Sequence, residues 1–350
     1  MWVSVIAFML TVPFVIWVLK DSGIIGATTP AQKTDDADAT IVFPAATKMI
    51  KVPGFRPQSF NEYVGQTKAK EILQHYIDAV KERGTIFPHL LIYGKAGMGK
   101  TTLARIMAKE LNVPFVEFIT SEIYIFSDIF QLLVKAENGI MFLDEIHALD
   151  RDNAEKMYSV MEDFMFNGQP VPPFTLVGAT TELGEILKKR KPFYDRFKIV
   201  IELEDYTDQE LVTIAKQYRS RVFSTDKEID DTIYLSLAQN CRATPRHLIR
   251  LLEATIYFHL DIKTVFKNFN IITGGFTTKD LHILKYVVQN EKGVGLQGLA
   301  SYLDTSVANY LYEIEPYLLK SGLILRTPRG RKITQRGIEL IKVLSATVPA

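Results

Sequence analysis

Gly94-Lys95-Ala96-Gly97-Met98-Gly99-Lys100-Thr101 is the stretch that decides how this chain is read. It fits the pattern GxxxxGK[ST], in which glycines let successive backbone N–H groups wrap a phosphate chain. Lys100 then neutralises the β and γ charges, and the Thr101 hydroxyl can ligate Mg²⁺. The context is also the required one. His89 to Tyr93 (HLLIY) reads as a short buried strand before the loop, and Thr101 to Leu111 as a helix after it. The phosphates would therefore meet a helix N-terminus, where unpaired N–H groups favour anions. The expectation is an ATP site, with Gly94, Gly97, Gly99, Lys100, Thr101 and the adjoining Thr102 around the phosphates.

Further along, Ile140 to Leu143 (IMFL) is a second apolar strand, and it ends in Asp144-Glu145. At a strand's C-terminal end, Asp144 can hold the Mg²⁺ shell while Glu145 polarises an attacking water. A solvated acidic turn would look the same in isolation; the pairing with the phosphate loop favours the catalytic reading. Phe174 to Val177 (FTLV) is a third strand. Strands alternating with helices predict an α/β fold, a parallel sheet covered on both faces.

From Thr207 to about Asn268 the pattern is wholly helical and reads as a separate small domain. Beyond it, Thr278 to Val288 and Leu296 to Leu303 read as amphipathic helices. Thr305 can cap a third that runs toward Pro316. Gly322 ends that segment before a strand, Leu323 to Arg326; a turn, Thr327 to Arg331, leads to a second strand, Lys332 to Thr334. Helix, helix, helix, hairpin is a winged helix. Arg326, Arg329, Arg331, Lys332 and Arg336 crowd this stretch with no acidic residue between them. Guanidinium groups on a loop stiffened by Pro328 and Gly330 suit phosphate or minor-groove contact with DNA, weakly dependent on base sequence and weakened by salt. A solvated basic turn, or a wing used for protein contacts, is the plainer alternative.

Bulk properties bound the rest. With 350 residues the chain exceeds one small domain. A formal net charge of +1 makes it no overall polycation, so nucleic-acid binding must rest on a local patch. One cysteine, Cys241, excludes an internal disulfide and reads as core filler. Met1 to Leu19 carries no charged side chain and has Trp2 and Trp17 near its ends. As a helix it would span about 28 Å, close to a bilayer's hydrocarbon core. A single-pass membrane anchor is expected, with the ATPase on the cytoplasmic side, and a flexible Thr/Ala/Asp/Pro-rich linker over 20–54. A cleaved signal peptide and a buried helix are the rival readings of that segment.

From Phe55 to about Leu344 the chain resembles the RuvB family of bacterial Holliday-junction branch-migration motors, which are AAA+ ATPases. The resemblance is carried by Arg56-Pro57, Phe60 to Gln66, the Asp144-Glu145-Ile146-His147 box and Met161-Glu162-Asp163-Phe164. Pro172 to Thr181, Asp195-Arg196-Phe197, Ala243-Thr244-Pro245-Arg246, Glu315 to Leu318 and Arg326 to Arg331 carry it further. It implies that Tyr63 and its neighbour Val64 cover the adenine, and that Thr181, or else Thr180, senses the γ-phosphate. It makes Arg196 an arginine finger acting in a neighbouring subunit, and it sets Arg246 over the nucleotide from a helical lid. A homo-oligomeric ring, a hexamer, follows from the same resemblance, as does DNA as partner.

Three departures qualify it. Between Met161-Glu162-Asp163-Phe164 and Pro172 the family carries a long β-hairpin that docks its partner RuvA, whereas only Met165 to Val171 stand here, with Asn167-Gly168 for a tight turn. No RuvA-type partner is therefore expected. The family's Leu-Arg-Asp-Arg-Phe becomes Phe193-Tyr194-Asp195-Arg196-Phe197, with one arginine lost. The anchor has no counterpart in that soluble family. The whole reads as a membrane-tethered, RuvB-like DNA translocase: anchor 1–19, linker 20–54, AAA+ P-loop domain 55–204, helical lid 205–270, winged helix 271–345. A membrane-bound remodeller of protein complexes and a nucleotide-gated DNA tether fit the same residues.

Overall fold

The computed structural model describes residues 54–120, 126–166, 168–223, 228–259, 261–290 and 292–347. Helix α1 (Thr67–Arg83) leads into β1 (Leu90–Tyr93), and the phosphate loop joins β1 to α2 (Lys100–Leu111). Next come β2 (Phe115–Ile119), α3 (Phe126–Lys135), β3 (Ile140–Asp144), a 3₁₀ turn at Ile146–Ala148, and α4 (Arg151–Asp163). A hairpin of β4 (Met165–Phe166) and β5 (Gln169–Pro170) precedes β6 (Thr175–Thr180), α5 (Leu183–Lys189), α6 (Lys191–Tyr194) and β7 (Ile199–Glu202).

The strands form one sheet in the order β2-β3-β6-β1-β7, and each neighbouring pair is parallel. Alternation along the strands divides the core. Leu90, Ile92, Ile140, Phe142, Val177 and Ala179 face α1 and α2, whereas Leu91, Met141, Leu143 and Leu176 face α3 and α4. Burial on both faces is why the inner strands read as unbroken apolar runs. The edge strands β2 and β7 escaped the sequence reading because they are only partly covered, with Glu117 interrupting the first and Glu202 cutting the second short. The third strand runs on to Thr180, beyond the expected Val177, so its carboxyl end lies beside those of β1 and β3. That shared edge is where an open α/β sheet binds its ligand.

Helices α7 (Asp208–Val222), α8 (Asp231–Asn240), α9 (Pro245–Tyr257) and α10 (Ile262–Asn268) make the helical region. Thr207 and Glu210 close a capping box on α7, and Asp230 caps α8 through the Thr232 N–H. Cys241 is buried, and burial pushes its thiol up to about 11, which fits an inert core residue.

After a hairpin of β8 (Ile271–Thr273) and β9 (Phe276–Thr277) come α11 (Thr278–Gln289), α12 (Leu296–Tyr302), α13 (Val307–Asn309), a π-helical turn at Tyr310–Ile314 and α14 (Glu315–Lys320). β10 (Ile324–Thr327) and β11 (Gly330–Ile333) pair antiparallel as the wing, and α15 (Gln335–Thr347) closes the unit. The cap of the third helix is Ser306, whose hydroxyl accepts from Asn309 N; Thr305 sits one residue too early and bonds the Asn309 side chain. The wing strands close up to Thr327 and Gly330, so the turn is tighter than the Thr327 to Arg331 loop expected.

The expected membrane placement is corrected here. Among the described residues no helix is long and apolar enough to cross a membrane. The segment 1–19, on which that expectation rested, lies outside the described residues, as does the linker apart from Gly54.

Candidate nucleotide site and wing

The carboxyl edge of the sheet opens into a cavity of about 490 Å³. Tyr63, Val64, Gly97, Gly99, Lys100, Thr101, Thr102, Asp144, Glu145 and Arg246 all line it. Two glycines are needed for its shape. Gly97 and Gly99 stand at φ 77° and 98°, in the left-handed region. A Cβ on Gly97 would lie 2.7 Å from the Arg246 Cβ, and one on Gly99 would lie 2.7 Å from the Tyr63 hydroxyl. The loop is thus pressed between α9 and the segment before α1. Gly94 belongs instead to an adjoining cleft, which also takes in Lys95, Glu145 and Thr181.

Lys100 is buried, and its Nζ donates to the carbonyls of Gly94 (2.7 Å) and Lys95 (3.1 Å). Burial lowers its pKa and Arg246 adds to that, against the upward pull of Glu145 and Asp144. Asp144 moves the other way: burial and then the Glu145 charge raise it, partly offset by the Glu145 N–H, 3.0 Å from Oδ1. Glu145 is held at φ 51°, a left-handed conformation that costs a non-glycine residue of order 1 kcal/mol. Such strain marks functional turns. Its Oε2 accepts from the Thr181 hydroxyl at 3.1 Å. Thr180 is buried and turned away, 3.0 Å from His147 Nδ1.

These donors fit the expected ligands. Mg²⁺ takes hard oxygens and tolerates few protein ligands beside substrate phosphates, which matches the Thr101 hydroxyl and the Asp144 carboxylate. Arg196 lines neither the cavity nor the cleft. It packs against α4, its Cζ 5.4 Å from the Tyr158 ring centroid and its Nη2 3.2 Å from Glu162.

Several residues of the site were not found from sequence. Tyr206 donates to the Met98 carbonyl at 3.1 Å and stands 3.4 Å from the Tyr63 hydroxyl. Ile214, Gln217 and Tyr218 of α7, with Pro245 and Ile249 of α9, complete the wall away from the phosphate loop. Their signal is tertiary: a helix face carries no local mark of which cavity it will meet. His147 stood within the quoted box without a role; it lies 3.3 Å from Glu145 and 3.4 Å from Glu182.

The wing needs a correction. No acidic residue interrupts its basic residues along the chain, yet one does in space. Glu315, at the start of α14, is fully buried and accepts from Arg326 Nη2 at 2.7 Å and from Arg331 Nη2 at 3.2 Å, with a second bond from Arg331 Nε. Burial works to raise the Glu315 pKa, and the two arginines more than reverse it. Arg331, with its side chain 12% exposed, is built into the fold. Arg329 is exposed and Lys332 half-buried, and neither side chain has an ion pair among the described residues.

Residues 55–203 match the Holliday junction DNA helicase RuvB P-loop domain, and residues 273–342 match the RuvB C-terminal winged helix domain. The Holliday junction branch migration complex subunit RuvB of Anaplasma marginale is 36% identical over 310 residues, covering 82% of this chain and 92% of the relative. That of Treponema denticola is 38% identical over 309 residues, 81% and 88% of the two lengths. The solved structure of the Thermotoga maritima RuvB branch migration motor superposes with a TM-score of 0.73 at 35% identity, covering 82% of this chain and 98% of that one. With a P-loop sheet, a helical lid and a winged helix in that order, the chain belongs to the RuvB family of AAA+ proteins and is an ATP hydrolase that works with Mg²⁺.

Proposed function

We propose that this chain is a ring-forming motor that uses ATP hydrolysis to move branched duplex DNA; the names of its relatives describe Holliday junction branch migration for them. The observation that carries this reading is the length of the likeness: it spans the ATPase sheet, the lid and the wing together, over nine-tenths of the Anaplasma marginale protein. The parts are an ATPase portion, 55–204, a lid, 205–270, and a DNA-gripping winged helix, 271–345.

In the reaction, Lys100 and the loop N–H groups bind the β and γ oxygens, and Tyr63 and Val64 cover the base. Thr101 and Asp144 would hold Mg²⁺, which when bound would neutralise phosphate charge. Glu145 orients the attacking water and accepts its proton as the water oxygen bonds to the γ phosphorus and ADP leaves. Thr181, already hydrogen-bonded to Glu145, steers that carboxylate and the γ-phosphate. Arg246 in the same subunit and Arg196 from a neighbour stabilise charge on the transferring group. Since Arg196 does not line its own cavity, a catalytic role for it requires a neighbouring subunit, and a hexamer is our reading of that ring.

Arg329 and Lys332 are the primary DNA contacts, Arg326 a secondary one, and Arg331 the brace of the turn. The β4–β5 hairpin, with two-residue strands, is too small to seat a RuvA-type partner, and we read the motor as working without one.

ATP turnover of the chain with no DNA, linear duplex and a four-way junction tests the reading. Stimulation that prefers the junction, and that disappears in Glu145→Gln and weakens in Arg329→Ala, is expected. Turnover indifferent to every DNA would sink it. Added RuvA that raises turnover on junctions would overturn the partner-free part alone.

A further inference from the structure

The segment leaving β7 is a joint touched by everything that must move. Leu203 N–H bonds the Tyr93 carbonyl at 2.8 Å, and the Leu203 carbonyl is so close to Gly94 that a Cβ there would lie 3.1 Å from it. Glu204 exchanges backbone bonds with the Gln66 side chain, at 2.6 and 3.0 Å, and Tyr206 reaches the Met98 carbonyl. Thr207 then caps the first lid helix. Between these anchors sits Asp205, with a side chain 23% exposed and two cationic partners. Lys95, the residue after Gly94 in the phosphate loop, reaches it at 2.9 Å. Lys320, at the last turn of α14 in the winged helix, binds the same carboxylate.

We propose that Asp205 is a positioning residue whose two-sided ion pair, Lys95–Asp205–Lys320, ties the phosphate loop to the winged helix, so that nucleotide in the ATP site sets where the winged helix stands.

Three features support it. First, the pair spans the adjoining cleft of about 580 Å³, whose walls include Glu145 and Thr181 on one side and Pro316 and Lys320 on the other. The winged helix therefore borders the γ-phosphate side of the site. Second, Lys95 cannot be indifferent to nucleotide. Its carbonyl accepts from Lys100 Nζ at 3.1 Å, and phosphate draws on that same ammonium. Third, two ammonium groups share one carboxylate. Burial, and then the charge and hydrogen bond of the adjacent Lys95, push Lys320 down to about 8, so the two amines crowd each other while sharing Asp205. A displaced Lys95 leaves Asp205 wholly to Lys320, and a displaced Lys320 leaves it wholly to Lys95. Ion pairs at this exposure stabilise little; a weak, shared contact suits a joint that must change partners each cycle.

The test uses fluorescent labels on Glu82→Cys in α1 and Lys285→Cys in α11, both exposed, the native thiol being buried. Energy transfer is read with and without Mg–ATP in a Glu145→Gln background that binds without turning over. The unsubstituted joint should give two distinct transfer efficiencies. Lys320→Ala should bring them together, Lys320→Arg should restore the difference, and Asp205→Lys combined with Lys320→Asp should restore it in part. In parallel, Lys320→Ala should keep the DNA-free kcat and KM for ATP and lose the DNA-stimulated increment. A nucleotide-dependent change that survives Lys320→Ala in full, or its absence from the parent chain, would overturn the proposal. The coupling to DNA rests on the motor reading. If DNA fails to stimulate even the parent, that reading fails while the transfer experiment still decides the joint.

Discussion

The phosphate loop and the wing are both short glycine-bearing turns with cations beside them, and they manage charge in opposite ways. Around the loop, charges are crowded and poorly compensated: the buried Lys100 ammonium is held by two carbonyls, and Asp144 and Glu145 press on one another. In the wing the charge is already committed, since Arg326 and Arg331 close on the buried Glu315. The first region keeps its charges for a ligand, and the second spends most of its own on shape. A count of basic residues in sequence cannot distinguish the two.

The largest effects should break the first region. Lys100→Ala and Glu145→Gln should each lower ATP turnover by about 10² to 10³-fold or more, as loss of a preorganised electrostatic group does. Phosphate release under saturating ATP measures this. Nucleotide binding, read by fluorescence, should survive Glu145→Gln and fail in Lys100→Ala. If Lys100→Ala bound nucleotide normally, the crowded ammonium would be structural, and the contrast with the wing would collapse.

Next is Glu315. Breaking a buried ion pair on one side leaves uncompensated charge, at a cost of about 3–5 kcal/mol. Glu315→Gln should therefore unfold the winged helix at lower denaturant while leaving DNA-free ATP turnover near normal. Acid should mimic it. The folded pKa of Glu315 lies below its ordinary value, so its contribution is complete above the usual glutamate range and is lost as pH falls through the folded pKa. A wing as stable in Glu315→Gln as in the parent would show the arginines free for DNA after all.

These contrasts show what the sequence could and could not carry. The phosphate loop, the β3 carboxylates and the winged-helix outline were legible because each is local: a spacing of glycines, an apolar run ending in acids, capping residues before periodic helices. The edge strands were not, since their coverage depends on helices remote in sequence. Tyr206 and the α7 wall of the cavity were hidden for the same reason. Glu315 was quoted in Glu315-Pro316-Tyr317-Leu318 as a mark of resemblance, yet nothing in its neighbours says that it folds under the wing eleven residues on.

Arg329→Ala and Arg331→Ala then sharpen the wing itself. A free guanidinium on phosphate should, on removal, weaken DNA binding evenly across sequences and reduce the salt slope by about one. Arg329→Ala should do this with an unchanged melting temperature. Arg331→Ala should lower thermal stability and leave the salt slope of the folded fraction nearly unchanged. Equal slopes and equal melting temperatures for the two variants would erase the division between a contacting and a bracing arginine.

The smallest effect is the most discriminating about the loop. Asp144 carries a raised pKa, so in the window between its ordinary and its folded value the native state binds more protons than the unfolded chain. Stability must then fall as pH rises through that window, and at neutral pH the charge is a net cost. Asp144→Asn should accordingly raise the melting temperature near pH 7 by on the order of 2 °C in the absence of Mg²⁺ and nucleotide. Its amide oxygen can still accept from Glu145 N–H. The gain should vanish below the ordinary aspartate range, where both forms are neutral, and reverse with Mg–ATP present, because only the carboxylate is then stabilised by the bound ion. A substitution that is neutral or destabilising at pH 7 without ligand would mean that Asp144 is satisfied by its surroundings, as Glu315 is, and that the two regions handle charge alike.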